Sequence, residues 1–557
     1  MALAGAAATA IAAMPPATVD LAAEPIKDQR QSRAGTGCGY AGHISMLDKR
    51  YCDEFLVKHP DETWKRLAEG GAYVVREWSA NDRWQACMAL KAAKTAAERD
   101  AVVKRYGGIA CADPRVVWDF RKRHGIRALL TLENYSVIVD TKTGRRSDDI
   151  KDVKRVICDF VHWLVANGYK NQVIGFELSN EPYWGNNPER NAARWAEIVP
   201  EIKKIFPEVD IGFPIAEYRA FDPDVAAVRR RSTATDKWFK DQGYYAFSRL
   251  NQWSGRFIVA FSNAIDQCSH VIYHFYGGYR SEAVGPSGFS RIHAFAQAFP
   301  EVKGKKVWIS EWRERSDEDN HCHQSFGSAL TKAHYLLSTT ASPMVDCTST
   351  HQLSCLAGGF YIADGKGDWV VQWAEHDEGR GYGDPDATGV PRIEIGPAGP
   401  VYRLYNEALM KHPLILDTGV WRERIRGEKL CSGVLFYEST DRVKAWYANG
   451  CKGKRPEMRG GEQWVLACNP RRTSAVFLIA NSVEAYPWPM EFNYKGYRPR
   501  GKARCRFYRC RPEDVVMRHI PGEKSLAWME EKTMEFGKIV IPSMCVATVE
   551  FDIEEAK

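Results

Sequence analysis

The sequence predicts an α/β protein, a (β/α)8 TIM barrel followed by a C-terminal β-sandwich domain. Eight short apolar runs alternate with longer amphipathic stretches through the middle of the chain, which is the rhythm of a parallel barrel rather than an open sheet. After about His412 the texture changes to Pro, Gly and short alternating segments, which suits a sandwich. The length, 557 residues, fits one large barrel plus a satellite at roughly 100–200 residues per domain. Composition is 45% hydrophobic and 26% charged, so a wholly disordered, collagenous or coiled-coil chain is excluded.

Taken in order, residues 1–36 read as a signal-like and linker segment. Ala2–Met14 resembles the apolar region of a secretory signal, followed by Pro15 and Pro16 but lacking a basic leader. Export to the periplasm or medium is one expectation, and an unstructured Ala-rich tail is the other. Residues from about 15 to 36 are either a linker or an extra strand on the sandwich.

The barrel is expected over 37–412, with strand runs at 37–44, 72–78, 126–135, 172–182, 210–218, 270–278, 306–312 and 344–353. They are rich in Val, Ile, Tyr and Phe and read as buried strands. Between them, 53–70, 152–168, Glu189–Phe206, 324–341 and 401–412 carry apolar residues on one face, and the first two end in Gly, a helix C-terminal signal. No repeat at a solenoid period is present, and no early GxGxxG supports a dinucleotide fold. Residues 413–557 supply the short strands of the sandwich, among them QWVLACNP, AVFLIANS, ARCRFYRC and CVATVEFDI.

Charge and cysteine narrow the partners. Lys and Arg number 77 against 70 Asp and Glu, a net +7 that does not call for nucleic acid. No apolar run reaches the ~18–20 residues of a membrane span. The 15 cysteines contain no paired CxxC motifs, so a structural zinc is not expected. Cys38 with Cys52, Cys87 with Cys111, and Cys505 with Cys510 are close enough in sequence to bridge in an oxidising compartment; buried thiols are the plainer alternative.

A barrel of this type places its chemistry at the C-terminal ends of its strands. The fourth run ends in Asn180-Glu181-Pro182 and the seventh in Ser310-Glu311-Trp312. Two carboxylates arriving at one rim from opposite sides can serve as a protonated acid and an attacking anion, the pair that glycoside hydrolysis needs. The motifs LSNEPYW and WISEW, in this layout, resemble the clan A retaining glycoside hydrolases. The region from 324 to the sandwich is similar to families 39 and 51, and the SEW context is nearer to families 5 and 39 than to family 51.

The resemblance covers roughly 37–412 in layout and is specific in the motifs. It implies Glu181 as general acid/base and Glu311 as nucleophile. It implies Arg76 as the cation beside the nucleophile and Asn180 as a hydrogen-bond partner of the sugar 2-OH. His274 and Tyr276 would contact nucleophile and substrate, with Tyr276 the expected donor to Glu311. The plainer alternatives are an ion pair of Arg76 near Glu77, core packing for His274 and Tyr276, and a turn role for Asn180.

Of the aromatics at this rim (Trp78, Tyr135, Tyr183, Trp184, Tyr218, Tyr279 and Trp312), Trp184 and Trp312 adjoin the carboxylates and are the expected sugar-stacking rings. Glu133, Asn134 and Glu217 also end strands, and RRRSTATDK at 229–237 is either a solvated face or a contact for an anionic sugar.

The expected function is hydrolysis, with retention, of plant or algal polysaccharide or its oligosaccharides, without metal or organic cofactor. A catalytically silent carbohydrate-binding barrel is the alternative. A metal-dependent hydrolase would want several His or Asp ligands at strand ends, and the first run offers only His43.

Overall fold

The computed structural model describes residues 17–33, 38–39, 74–106, 114–140, 143–184, 186–215, 253–278, 300–315, 325–350, 360–363, 369–370, 393–419, 436–437, 458–459, 462–482, 487–515, 517 and 524–556. The Ala-rich residues 1–16, the expected helix at 53–70, His43, Glu217, Tyr218, the basic run 229–237 and Tyr279 lie outside them.

Eight parallel strands form one ladder. They are β1 (Cys38–Gly39), β2 (Val74–Glu77), β3 (Arg127–Leu132), β4 (Val173–Leu178), β5 (Asp210–Ile215), β6 (His270–Gly278), β7 (Lys306–Arg315) and β8 (Val345–Thr350). Their spatial order is β1-β8-β7-β6-β5-β4-β3-β2, and the ends β1 and β2 lie side by side. This is a TIM barrel.

Helices among the described residues are α1 (Ala80–Ala92), α2 (Ala96–Tyr106), α3 (Pro114–His124), α4 (Ile150–Ala166), α5 (Pro188–Ile205), α6 (Trp253–Ala260), α7 (Phe326–Ala341) and α8 (Gly399–Lys411). Their ends follow local chemistry. Asp149 caps α4 by accepting from the Lys151 N–H, and Asn187 caps α5 by accepting from the Arg190 N–H. Gly168, at φ 74°, turns the chain out of α4, a conformation that costs glycine nothing.

The floor of the barrel is a layer of Val74, Leu129, Ile174, Ile272, Trp308 and Cys347. Trp308 is the large member, stacked on His270 with ring centres 4.1 Å apart. Gly175 and Gly212 make its space, since a Cβ at either would overlap the indole. The charged layer described below rests on this floor.

The C-terminal domain is built on an antiparallel sheet. Its strands run Lys27–Asp28, β9 (Leu414–Thr418), β10 (Glu462–Cys468), β11 (Ser474–Asn481), β14 (Cys545–Glu555), β12 (Tyr497–Cys510) and β13 (Ala527–Glu535). Period-two alternation gives it two apolar faces. Val465 and Ala467 join the core shared with the barrel, while Trp464, Leu466 and Cys468 face a second core. That second core is covered by short ladders, Ala17–Asp20 on Phe492–Lys495 and Trp488–Pro489 on Val540–Ile541. The covering layer is therefore made of small pieces, and the N-terminal strands belong to this domain. Cys505 and Cys510 are both free; five residues apart on β12, they fall on opposite faces and cannot bridge each other.

Helix α7 is buried at every residue, wedged between barrel and sheet. Its His334 joins Gln463 Oε1 at 2.8 Å and Ser482 Oγ at 2.5 Å, tying the two domains.

Candidate active site

Above the Trp308 floor, the C-terminal ends of β2, β3, β4, β6 and β7 converge on one charged cluster. Arg76, 1% exposed, is its hub. Its Nε and Nη2 donate to Glu177 Oε2 and Oε1 at 2.6 and 2.7 Å, its Nη1 to Glu311 Oε1 at 2.6 Å, and Nη2 also to Asn180 Oδ1 at 2.8 Å. A planar guanidinium suits this because its forked donors meet several acceptors at once. Thr131 and Ser310 each donate to Glu177 at 2.7 Å.

His274 bridges the other way. Its Nδ1 lies 2.8 Å from Glu181 Oε1 and 3.4 Å from Glu311 Oε2, and its Nε2 lies 3.0 Å from Ser310 Oγ. Tyr183 donates to Glu181 Oε1 at 3.0 Å. Glu181 thus has two partners, Tyr183 and His274. Read with His274 as a cation, every proton finds an acceptor: His274 donates to Glu181 and Ser310, and Ser310 donates to Glu177.

Burial sets the charges. It opposes the positive form of His274, but Glu311, Glu177 and Glu181 outweigh it and raise the ring to about 9. Burial would likewise raise Glu177, and Arg76 with His274 instead lowers it to about 2. Arg76 is raised despite its burial by the same two carboxylates, Glu177 and Glu311. Glu133, just past β3, feels Arg76 only weakly, and the carboxylates of Asp82 and Glu177 oppose it. Burial pushes it up to about 8, although it accepts the Asn180 N–H at 3.4 Å.

Two backbone irregularities aim the carboxylates. After β4, Ser179 and Glu181 sit at φ 70° and 42°, a left-handed turn that costs a side-chain-bearing residue roughly 1–3 kcal/mol. It is held by the Ser179 N–H to Leu132 O at 2.9 Å and by Trp195 Nε1 to Ser179 Oγ at 3.2 Å. On β7, Trp308 pairs with Ile272 but Glu311 pairs with His274, so three steps oppose two. This bulge brings both Ser310 and Glu311 to the interior and turns Trp312 outward.

The structure therefore brings Arg76, Asn180, Glu181, His274 and Glu311 together and does not bring Trp312 with them. Trp312 is 2% exposed and stacked on Tyr335 of α7 at 3.7 Å. A sugar platform needs an open face, so this ring packs the barrel against its helix. Tyr276 lies on β6 and Trp184 in the turn Pro182–Trp184, but their side chains lie outside the described residues. The sequence reading missed Glu177, Thr131 and Ser310. The signal for Glu177 was present: a single carboxylate in the otherwise apolar VIGFEL of a wholly buried strand demands a cation.

Glu181, His274 and Glu311 each present one atom within 4.8 Å of the others, a grouping that could also ligate a divalent ion. The charges do not fit that reading. Glu311 already holds the Arg76 guanidinium, and a metal would have to compete with that cation for the carboxylate.

No family model and no curated protein matches this chain. Solved structures do, at the level of the fold. An α-L-arabinofuranosidase from Thermotoga maritima, in complex with arabinose, is 11% identical with a TM-score of 0.56, covering 96% of this chain and 99% of its own. A GH51 α-L-arabinofuranosidase from Thermotoga petrophila RKU-1 is 10% identical at 0.57, with the same coverage. AbfB, a family 51 α-L-arabinofuranosidase from Bifidobacterium longum, is 11% identical at 0.57, covering 97% and 100%. Barrel and C-terminal sheet domain are matched together.

Proposed function

We propose that the protein is a retaining glycoside hydrolase that cleaves plant or algal polysaccharide, or its oligosaccharides, by double displacement. One observation carries this reading: an oxygen of Glu181 lies within 4.8 Å of an oxygen of Glu311 across the barrel mouth. Retaining enzymes hold their two carboxyl groups about 5–5.5 Å apart, whereas inverting enzymes need about 6.5–9.5 Å to admit a water. The fold likeness to arabinofuranosidases makes α-L-arabinofuranosides the first substrates to assay.

Glu311 is the nucleophile in this reading. The Arg76 guanidinium at 2.6 Å favours its anion and leaves the attack to the other oxygen. Glu181 gives a proton to the leaving oxygen as the bond to the anomeric carbon breaks. The His274–Glu181 pair holds that proton, so its loss leaves Glu181 anionic, ready to take a proton from the incoming water in the second step. A silent binding barrel would have no use for a buried cation directed at one carboxylate and a proton held against the other.

The test is the stereochemistry of the product. NMR of early hydrolysis by the wild-type enzyme should show the retained anomer. With an activated aryl glycoside and azide, Glu181→Ala should give the glycosyl azide of retained configuration and Glu311→Ala the inverted one. Release of the inverted sugar by wild type would overturn the reading.

A further inference from the structure

Beside the catalytic cluster, the start of α5 and the loops after β3 and before α4 enclose a second cavity of about 430 Å³, lined by Tyr135, Asp148, Asn186, Arg190, Asn191 and Arg194. We propose that it is a second carbohydrate subsite, for an acidic sugar residue on the leaving-group side of the substrate. The proposal rests on the glycosidase reading for that substrate and on the cavity's own chemistry for the sugar acid.

The first observation is an unmet polar atom. Asn191 is 2% exposed, its Nδ2 donates to the Tyr135 hydroxyl at 3.1 Å, and its Oδ1 has no partner. A buried amide oxygen left alone costs about 1–3 kcal/mol, so it calls for a donor from a ligand. Turning the amide over would exchange an orphan acceptor for an orphan donor, and a hydroxyl satisfies either.

The second observation is charge. Arg194 is a fixed wall, its guanidinium committed to the carbonyls of Asn134, Tyr135 and Asp148 at 2.7, 3.5 and 2.8 Å. Arg190 is free to move: its pairing with Asp148, at 3.2 Å, joins side chains that are 67% and 72% exposed. Such a pair is worth about 0–1 kcal/mol, so a ligand carboxylate can replace it. Asp149 and Glu197 act on Arg194 along with Asp148, so Arg190 is the cation left to a ligand, and the cavity adjoins the N-terminus of the 18-residue helix α5, which favours an anion there. An atom that wants a hydroxyl and a loosely paired cation that can take an anion are met together by a uronic acid.

The third observation is the tie to Glu181. The backbone runs from Glu181 to the cavity wall in five residues. Trp253 fastens it, donating from Nε1 to Asn186 O at 2.8 Å and packing edge-on against Tyr183, which holds Glu181. A group on the acid's side of the scissile bond belongs to the leaving portion, which assigns this pocket to the same side.

The experiment titrates the full chain calorimetrically with D-glucuronate, D-glucose and inorganic sulfate. The expected order is glucuronate tighter than either of the others by about tenfold, with Arg190→Gln bringing glucuronate down to the glucose level. That side chain is exposed, so the variant keeps the fold. Glu311→Gln should leave glucuronate binding as in wild type, separating this pocket from the catalytic cluster. Sulfate binding as tight as glucuronate would make the cavity a plain anion site and overturn the proposal, as would unchanged binding by Arg190→Gln. Hydrolysis of neutral aryl glycosides is measured in parallel. Its absence with Arg190-dependent glucuronate binding would sink the glycosidase reading alone, and its presence without that binding would sink the subsite alone.

Discussion

His274, at the mouth of the barrel, and His334, in the seam between α7 and the C-terminal sheet, are 3% and 1% exposed, yet they sit on opposite sides of neutrality. Burial by itself pushes both towards the neutral ring. His334 meets an amide and a hydroxyl; burial outweighs the opposing hydrogen bond to Gln463, and it falls to about 4. His274 meets Glu311, Glu177 and Glu181 and rises to about 9. One histidine is a neutral fastener between domains, the other a held proton beside three carboxylates. Position in the barrel does not distinguish them; their first neighbours do.

The comparison can be broken most severely at Glu311. Glu311→Ala should lose about 10⁴-fold or more in turnover even on activated aryl glycosides, because leaving-group quality cannot replace a covalent nucleophile. The same substitution removes the charge that does most to raise His274, so its NMR titration should move down from about 9. Near-normal turnover would show that the cluster is not the reacting centre.

Next in size is Glu177→Gln, which removes one anion from the fully buried Arg76 pair. Breaking such a pair from one side costs about 3–5 kcal/mol, read as a lower urea midpoint. Retained stability would mean that Glu311 alone suffices to hold Arg76.

At the seam, His334→Leu should cost about 1–3 kcal/mol by leaving Gln463 and Ser482 unpaired, while kcat/KM on aryl glycosides stays at the wild-type value. A loss of activity without unfolding would join the seam to the mechanism and end the contrast.

The smallest effect, and the sharpest test of the contrast, is the pH dependence of stability. His334 has a folded value below its ordinary 6.5, so its contribution is complete above about 6.5 and is lost as pH falls through about 4. His274 has a folded value above 6.5, so its contribution is complete below about 6.5 and is lost as pH rises through about 9. Thermal midpoints measured across pH should therefore lose part of their acid limb in His334→Leu and part of their alkaline limb in His274→Asn. If both variants flatten the same limb, one assignment is wrong.

Much of this molecule is legible without coordinates. Runs such as VIGFEL and RALLTL are mostly apolar because both faces of a barrel strand are covered, and the segments between them repeat at helical period. The change after His412 marks strands that alternate because each face of that sheet meets a different core. Arg76, Asn180, Glu181 and His274 could be named from their places at strand ends. Glu177 could not be given its partner, because a carboxylate in a buried strand announces only that some cation must meet it; Arg76 lies on another strand, 101 residues away.

Strand β7 shows where the two kinds of information part. Its sequence determines a buried strand ending in two Glu-flanking polar and aromatic residues, and strict alternation from Trp308 would point Ser310 and Trp312 inward and Glu311 outward. The pairing of His274 with Glu311, rather than with Ser310, reverses that order: Glu311 reaches Arg76 and Trp312 reaches Tyr335. A bulge of one residue leaves no local mark in the chain, because its stabilisation comes from Arg76 and His274 on one side and α7 on the other. The sequence by itself determined the barrel, its sheet domain and the residues available at the rim. Which of those residues face each other, and hence which histidine carries a proton, was decided by contacts between strands far apart in the chain.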